Sequence, residues 1–272
     1  MKLCTLNNSY KYQDSLKSYK QLKEQNLLNI ELNPSNIKSN LYELSIESLD
    51  SFMQKLKSKG FTIEAIEYTP TEELHIFENK ETRLNLLNNI KACIILCYKL
   101  NIKLININYI SDKYMDTLSK DSSYQILLEF FSDLGDFALN KNLILTLGPS
   151  TKYSTKNKIH ISSVFKSNSQ CLSFIRELNT PTIKLNFTNS LISENPFNYE
   201  KLLKLSIPYL YNFYVIEDYL IPLNNTNIIK NSSILKSLEK LDFKNTVTIE
   251  FKNRENIKDI IQFLLHSNLG LI

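Results

Sequence analysis

Thr82–Tyr109 reads TRLNLLNNIKACIILCYKLNIKLININY, and this stretch decides the fold. From Thr82 to Leu100, the apolar residues Leu86, Ile90, Cys93, Ile94 and Cys97 return every three or four positions. That period makes one apolar stripe along an α-helix. The helix feeds directly into KLININY at Lys103–Tyr109, a short β-rich apolar run. Such a run has the composition of a parallel strand covered on both faces, and a helix leading into it is part of a repeating α/β unit.

The same unit recurs in both directions. Apolar runs stand at Lys2–Leu6, Leu27–Leu32, Phe61–Tyr68, Lys103–Tyr109, Leu143–Leu147, Ile183–Phe187, Asn212–Ile216 and Thr246–Phe251. Amphipathic stretches separate them: 12–25, the segment after Ser45 that closes on Gly60, Thr82–Leu100, Asp121–Asn140, Asn168–Leu178, Tyr199–Tyr211, Ser232–Leu241 and Arg254–Ser267. Pro208 should end or kink the sixth of these near Ser206. Eight units predict an α/β protein, a (β/α)8 TIM barrel, folded as one domain over residues 1–272 with its chemistry at the carboxyl ends of the strands. The connections agree. Helix-to-strand links are short, whereas 33–45, 69–81, 110–120, 148–167 and 188–198 are long strand-to-helix loops, as when one face carries function. An open doubly wound sheet would announce itself with a glycine-rich first loop, but here strand one leads into NNSYKYQD.

Composition narrows the function classes. The chain has 272 residues, 43% hydrophobic and 22% charged, which fits a globular protein. A net charge of +4, scattered over helix faces, argues against a nucleic-acid partner. Cys93 and Cys97 lie on the apolar stripe, and with Cys4 and Cys171 they read as buried free thiols. With no secretory leader and no long apolar segment, no membrane association and a reducing cytoplasm are expected. Abundant Asn, Lys and Ile with only four glycines are attributed to base composition of the gene.

The strand ends supply the candidate chemistry. Glu250 in TVTIEF and Glu31 in NIEL are carboxylates late in their strands, where they can ligate a cation or move a proton, or simply form solvated ends. Asn108 ends strand four. Asn186 and Asn189 form N-F-T-N at strand six, and Lys184 has the parity of Asn186, so both share one face. These amides and the lysine suit sugar hydroxyls. Gly148, followed by Pro149, reads as a turn or as a place where a ligand approaches the backbone. His75 follows strand three and His160 follows strand five, so both can reach the functional face, whereas His266 sits in the last helix. Glu217 and Asp218 complete the ionisable set. There is no G-x-S-x-G, H-E-x-x-H, Walker loop or C-x-x-C.

With the units placed, the chain resembles the xylose-isomerase-like barrel superfamily, the sugar phosphate isomerase/epimerase and endonuclease-IV-like proteins. NIEL at strand two, HIFENKETRLNLLNNIKACIILCYKLNIKLININY at 75–109, NLILTLGPS, TPTIKLNFTNS and TVTIEF carry the resemblance, which covers nearly the whole length. It implies a divalent metal (Mn²⁺, Mg²⁺ or Zn²⁺) held by Glu at strand five, Asp at strand six, a histidine nearby or at strand seven, and Glu at strand eight. Here only Glu250 matches that set. Gly148, Asn186 with Asn189, and YVIED stand at the other positions. Two functions follow. One is an isomerase or epimerase of a sugar or related polyol, with Glu250 and Glu31 bracketing the substrate and His75 or His160 relaying a proton. The other is a barrel without metal chemistry that serves as a binding or partner protein. A homodimer is compatible with either. Endonuclease-like DNA binding would need metal-ligating histidines and a basic crescent, and neither is visible.

Overall fold

The computed structural model describes residues 1–6, 15–34, 46–69, 74–107, 109–149, 151–153, 160–189, 196–216 and 235–250. Ten strands and seven α-helical segments lie in these stretches. In chain order they are β1 (Lys2–Leu6), α1 (Ser15–Glu24), β2 (Asn29–Leu32), α2 (Ile46–Ser58), β3 (Thr62–Tyr68), α3 (Lys80–Lys99), β4 (Leu104–Ile107) and α4 (Lys120–Leu139). There follow β5 (Ile144–Leu147), β6 (Thr151–Tyr153), β7 (His160–Ser162), α5 (Asn168–Leu178), β8 (Ile183–Thr188), α6 (Pro196–Ser206), β9 (Leu210–Ile216) and β10 (Thr246–Glu250). Residues 235–240 are also helical. Eight strands close a barrel in the order β1-β10-β9-β8-β5-β4-β3-β2, and β6 pairs antiparallel with β7 as a separate ribbon. That ribbon lies where the sequence reading expects only loop, because TKY and HIS are too short to show a period.

Helix ends follow local chemistry. Asn79 caps α3 by accepting from Thr82 N (2.8 Å), Ser119 caps α4 through Ser122 N and Ser167 caps α5 through Gln170 N. α6 stops at Ser206, two residues before Pro208. Asn26, Asn101, Asn142, Asn179 and Asp242 all have positive φ just past a helix end, as does Gly60 after α2. Asn and Asp tolerate this left-handed turn best after glycine, so in a chain with four glycines they take over the reversal from helix to strand.

Contacts divide the chain into two compact units, one of residues 1–65 with 187–272 and one of residues 66–186. In the first, β1 registers Cys4 against Thr248 of β10, which registers against Tyr214 of β9, and Leu6 stands opposite Glu31 of β2. Phe213 stacks on Phe187 (5.6 Å), which meets Tyr199 of α6 edge-on (5.8 Å). That face of β9 therefore turns towards the helix, and Asn212 and Tyr214 alternate onto the other. Leu22, Leu49, Met53 and Leu203 from the helices are buried in this unit, each side chain worth roughly 1.5–3 kcal/mol.

In the second unit β4, β5 and β8 run parallel, registering Asn106 with Thr146 and Thr146 with Lys184. α3 buries Leu86, Ile90, Cys93, Ile94 and Cys97, the stripe read from sequence. α4 and α5 add an aromatic cluster, Phe131 standing 5.3 Å from Phe130 and 5.6 Å from Phe174. All four cysteines are free and buried.

Candidate functional site

In the first unit Glu31, Thr248 and Asn212 lie together. Glu31, at the carboxyl end of β2, has no solvent exposure, and Thr248 Oγ1 donates to its Oε2 over 2.6 Å. Thr248 Oγ1 also stands 3.1 Å from Asn212 Oδ1. A hydroxyl has one proton, so it serves one acceptor at a time, and the shorter bond to the carboxyl group takes it. Asn212 Nδ2 lacks a partner among the described residues. Burial pushes the neighbouring Cys4 thiol well above its ordinary pKa, and the nearby Glu31 adds to the effect. Glu250 ends β10, half-buried and with the parity of Thr248. Asn189 is buried, and its Oδ1 accepts from Ile216 N (3.0 Å), which ties down the end of β9.

In the second unit Asn106 and Thr146 are wholly buried and hydrogen-bonded through Thr146 Oγ1 and Asn106 Oδ1. By register Lys184, half-buried, joins their row. Asn106 Nδ2 has no partner among the described residues, which costs about 1–3 kcal/mol unless something fills the place. One row nearer the carboxyl ends stand Gly148 and Asn186. A β-carbon on Gly148 would lie 2.6 Å from the Asn186 carbonyl oxygen and 3.1 Å from its Cβ. Gly148 has no positive φ, and its absent side chain allows the close approach of β5 to β8.

His75 is buried, 7% exposed, and meets the Tyr114 ring edge-on at 5.6 Å. Burial first, and then the charge of Lys113, hold its imidazole below the ordinary 6.5, while Glu78 acts the other way. The loop after β4 carries Tyr114 and is joined to the segment after β7 by a Ser111–Ser163 bridge, by Val164 N donating to Ile110 O (2.8 Å) and by a Lys166–Asp112 ion pair. His160 begins β7 and pairs with Tyr153 in the backbone ladder. Asn108, Glu217, Asp218 and His266 lie outside the described residues.

The structure thus joins Glu31 to Thr248, Asn186 to Gly148 and His75 to Tyr114. Thr248, Asn212, Asn106, Thr146 and Tyr114 are not among the candidates read from sequence. Parity was the available signal for Asn106 and Asn212, since each stands at an inward-alternating position of its strand. The described residues do not fit the metal set implied by the resemblance. At strand five a side chain would strike the Asn186 backbone, strand six offers a neutral amide, and no three His, Cys, Asp or Glu side chains gather to hold an ion among the described residues.

The closed eight-stranded parallel barrel has the TIM-barrel topology, and solved structures that share its shape include sugar epimerases and a xylose isomerase domain protein. A D-tagatose 3-epimerase-like protein superposes with a TM-score of 0.74 at 14% identity, covering 100% of both chains. D-psicose 3-epimerase crystallised with D-tagatose, from Clostridium cellulolyticum H10, gives 0.75 at 12% identity, covering 100% of this chain and 99% of its own. The 3-keto-D-glucoside 4-epimerase from E. coli gives 0.72 at 13% identity, covering 98% and 99%. At these identities the likeness is one of fold. No protein-family model and no curated protein matches the chain. Among the described residues no helix is long and apolar enough to cross a membrane.

Proposed function

We propose that this barrel is a sugar isomerase/epimerase-like protein that binds a sugar or related polyol through neutral groups of residues 66–186, with the divalent-metal chemistry of its structural neighbours largely missing. The observation that carries this is the Gly148–Asn186 contact. It leaves no room for a carboxylate at strand five and sets Asn186, an amide residue, against that position. Amides, hydroxyls and a neutral imidazole can match the paired donor and acceptor character of sugar hydroxyls without a charge. The neighbours that superpose over the whole chain act, by their names, on sugars, which supports the same substrate class. Four buried free thiols suit a reducing compartment, so the cytoplasm is the proposed location.

The engagement of Glu31 with Thr248 favours binding over turnover, since a carboxyl group already committed inside the strands is poorly placed to move a substrate proton. Calorimetric titration of EDTA-treated protein with D-fructose, D-tagatose and D-psicose tests the reading. Binding of at least one sugar, unaltered by added Mn²⁺ and weakened about tenfold by Asn186→Ala, is expected. Strict Mn²⁺ dependence, or no binding, would overturn it.

A further inference from the structure

Tyr114 holds φ 67° and ψ 0°, a left-handed backbone conformation that a bulky residue adopts at a cost. The loop is tied on both sides of it. Lys113 N donates to Ser111 Oγ (3.2 Å), Met115 N to Asp112 O (2.9 Å), and Thr117 Oγ1 to Tyr114 O (2.6 Å). Ser111 bridges to Ser163 and Asp112 pairs with Lys166, so the strained residue sits in an anchored frame. The frame sets the Tyr114 ring edge-on to His75, with Lys113 Nζ 4.9 Å from the Tyr114 ring centre.

His75 is more than nine-tenths buried, yet its Nδ1 has no hydrogen-bond partner among the described residues. Buried polar atoms are nearly always satisfied, so a ring nitrogen that no described residue meets is open to an outside group. The charged side chains that act on the ring are Lys113 and Glu78. We propose that Tyr114 is a positioning residue that fixes the His75 ring, and that His75 Nδ1 is the atom offered to a hydroxyl of the bound polyol. This rests on the polyol-binding reading above and names one of its hydroxyl contacts. An uncharged imidazole pairs one acceptor nitrogen with one N–H donor, the combination a hydroxyl can meet from either side.

Ring-nitrogen NMR of the histidines in the full-length protein, recorded with and without D-fructose, D-tagatose and D-psicose, tests this alongside binding titrations. A bound sugar is expected to move the His75 nitrogen signals. His75→Phe should weaken binding about tenfold or more, and His75→Asn, which keeps a polar atom near Nδ1, should recover most of the loss. Tyr114→Phe should bind like the wild type, while Tyr114→Gly, which frees the backbone and deletes the ring, should bind several-fold more weakly. If His75→Phe does not fold, the wild-type signals and His75→Asn still decide. Sugar binding that leaves the His75 signals unmoved overturns this proposal and leaves the polyol reading standing. Failure of all three sugars to bind the wild type overturns both.

Discussion

A β-carbon on Gly148 would come within 2.6 Å of the carbonyl oxygen of Asn186, closer than such atoms approach in folded proteins. Gly148→Ala must therefore push β5 and β8 apart or bend one of them. The expected cost is about 1–3 kcal/mol, and at about 2–4 °C per kcal/mol for a chain of this size the melting temperature falls by several degrees. Gly148→Glu, which installs the carboxylate expected at strand five, should lose at least as much stability and gain no Mn²⁺ binding. Thermal melts with and without Mn²⁺ check both, and a metal-stabilised Gly148→Glu protein would sink the account of this position.

Thr248 and Glu31 give a second test. Thr248→Val removes the hydroxyl and leaves the Glu31 carboxyl oxygen without that donor in the interior. Loss of about 1.5–3 kcal/mol is expected if the bond is charge-assisted, measured from denaturant midpoints at constant slope. Thr248→Ser should lose much less. A double-mutant cycle with Glu31→Gln reads the coupling directly, and additive losses would show that the two groups do not act together.

The imidazole of His75 makes stability depend on pH in a defined direction. Its folded pKa is lowered by burial and Lys113, so between that value and 6.5 the unfolded chain binds more protons than the folded one. Stability contributed at this site is therefore complete above about pH 6.5 and falls as pH drops towards the folded pKa. The difference between wild type and His75→Gln, followed by chemical denaturation from pH 7.5 to 5, should shrink on acidification. A difference that is flat or grows on acidification contradicts the assignment.

The Asn residues at helix exits make a fourth prediction. Asn101 has φ 57° after α3. Asn101→Ala should cost about 1 kcal/mol, since a β-carbon without a local hydrogen-bonding group resists that region, whereas Asn101→Gly should be neutral or stabilising. Equal melting temperatures for the two variants would show that the turn is not what selects asparagine there.

These residues also show how far the sequence could be read. The barrel was legible because parallel strands covered on both faces become apolar runs, and the α3 stripe from Leu86 to Cys97 is buried as its period requires. The abundance of asparagine was harder to interpret. Base composition accounts for asparagine in bulk, but not for where Asn26, Asn101, Asn142 and Asn179 stand, at positive φ past a helix end. The bond between Thr248 and Glu31 joins residues 217 positions apart, and only closure of the last strand on the first creates it. At Gly148 the close backbone of a neighbouring strand leaves no mark in local sequence. Tyr114 was invisible for a related reason. Nothing in ISDKYMD marks which residue takes the left-handed conformation.

The central claim is that sugar binding here needs the neutral groups of residues 66–186 and no metal. Its most direct test is calorimetry of EDTA-treated protein against D-fructose, D-tagatose and D-psicose, repeated after adding Mn²⁺ and again with Asn186→Ala. The account predicts binding that Mn²⁺ leaves unchanged and the substitution weakens about tenfold. Binding that appears only with Mn²⁺, or that survives Asn186→Ala intact, would contradict it.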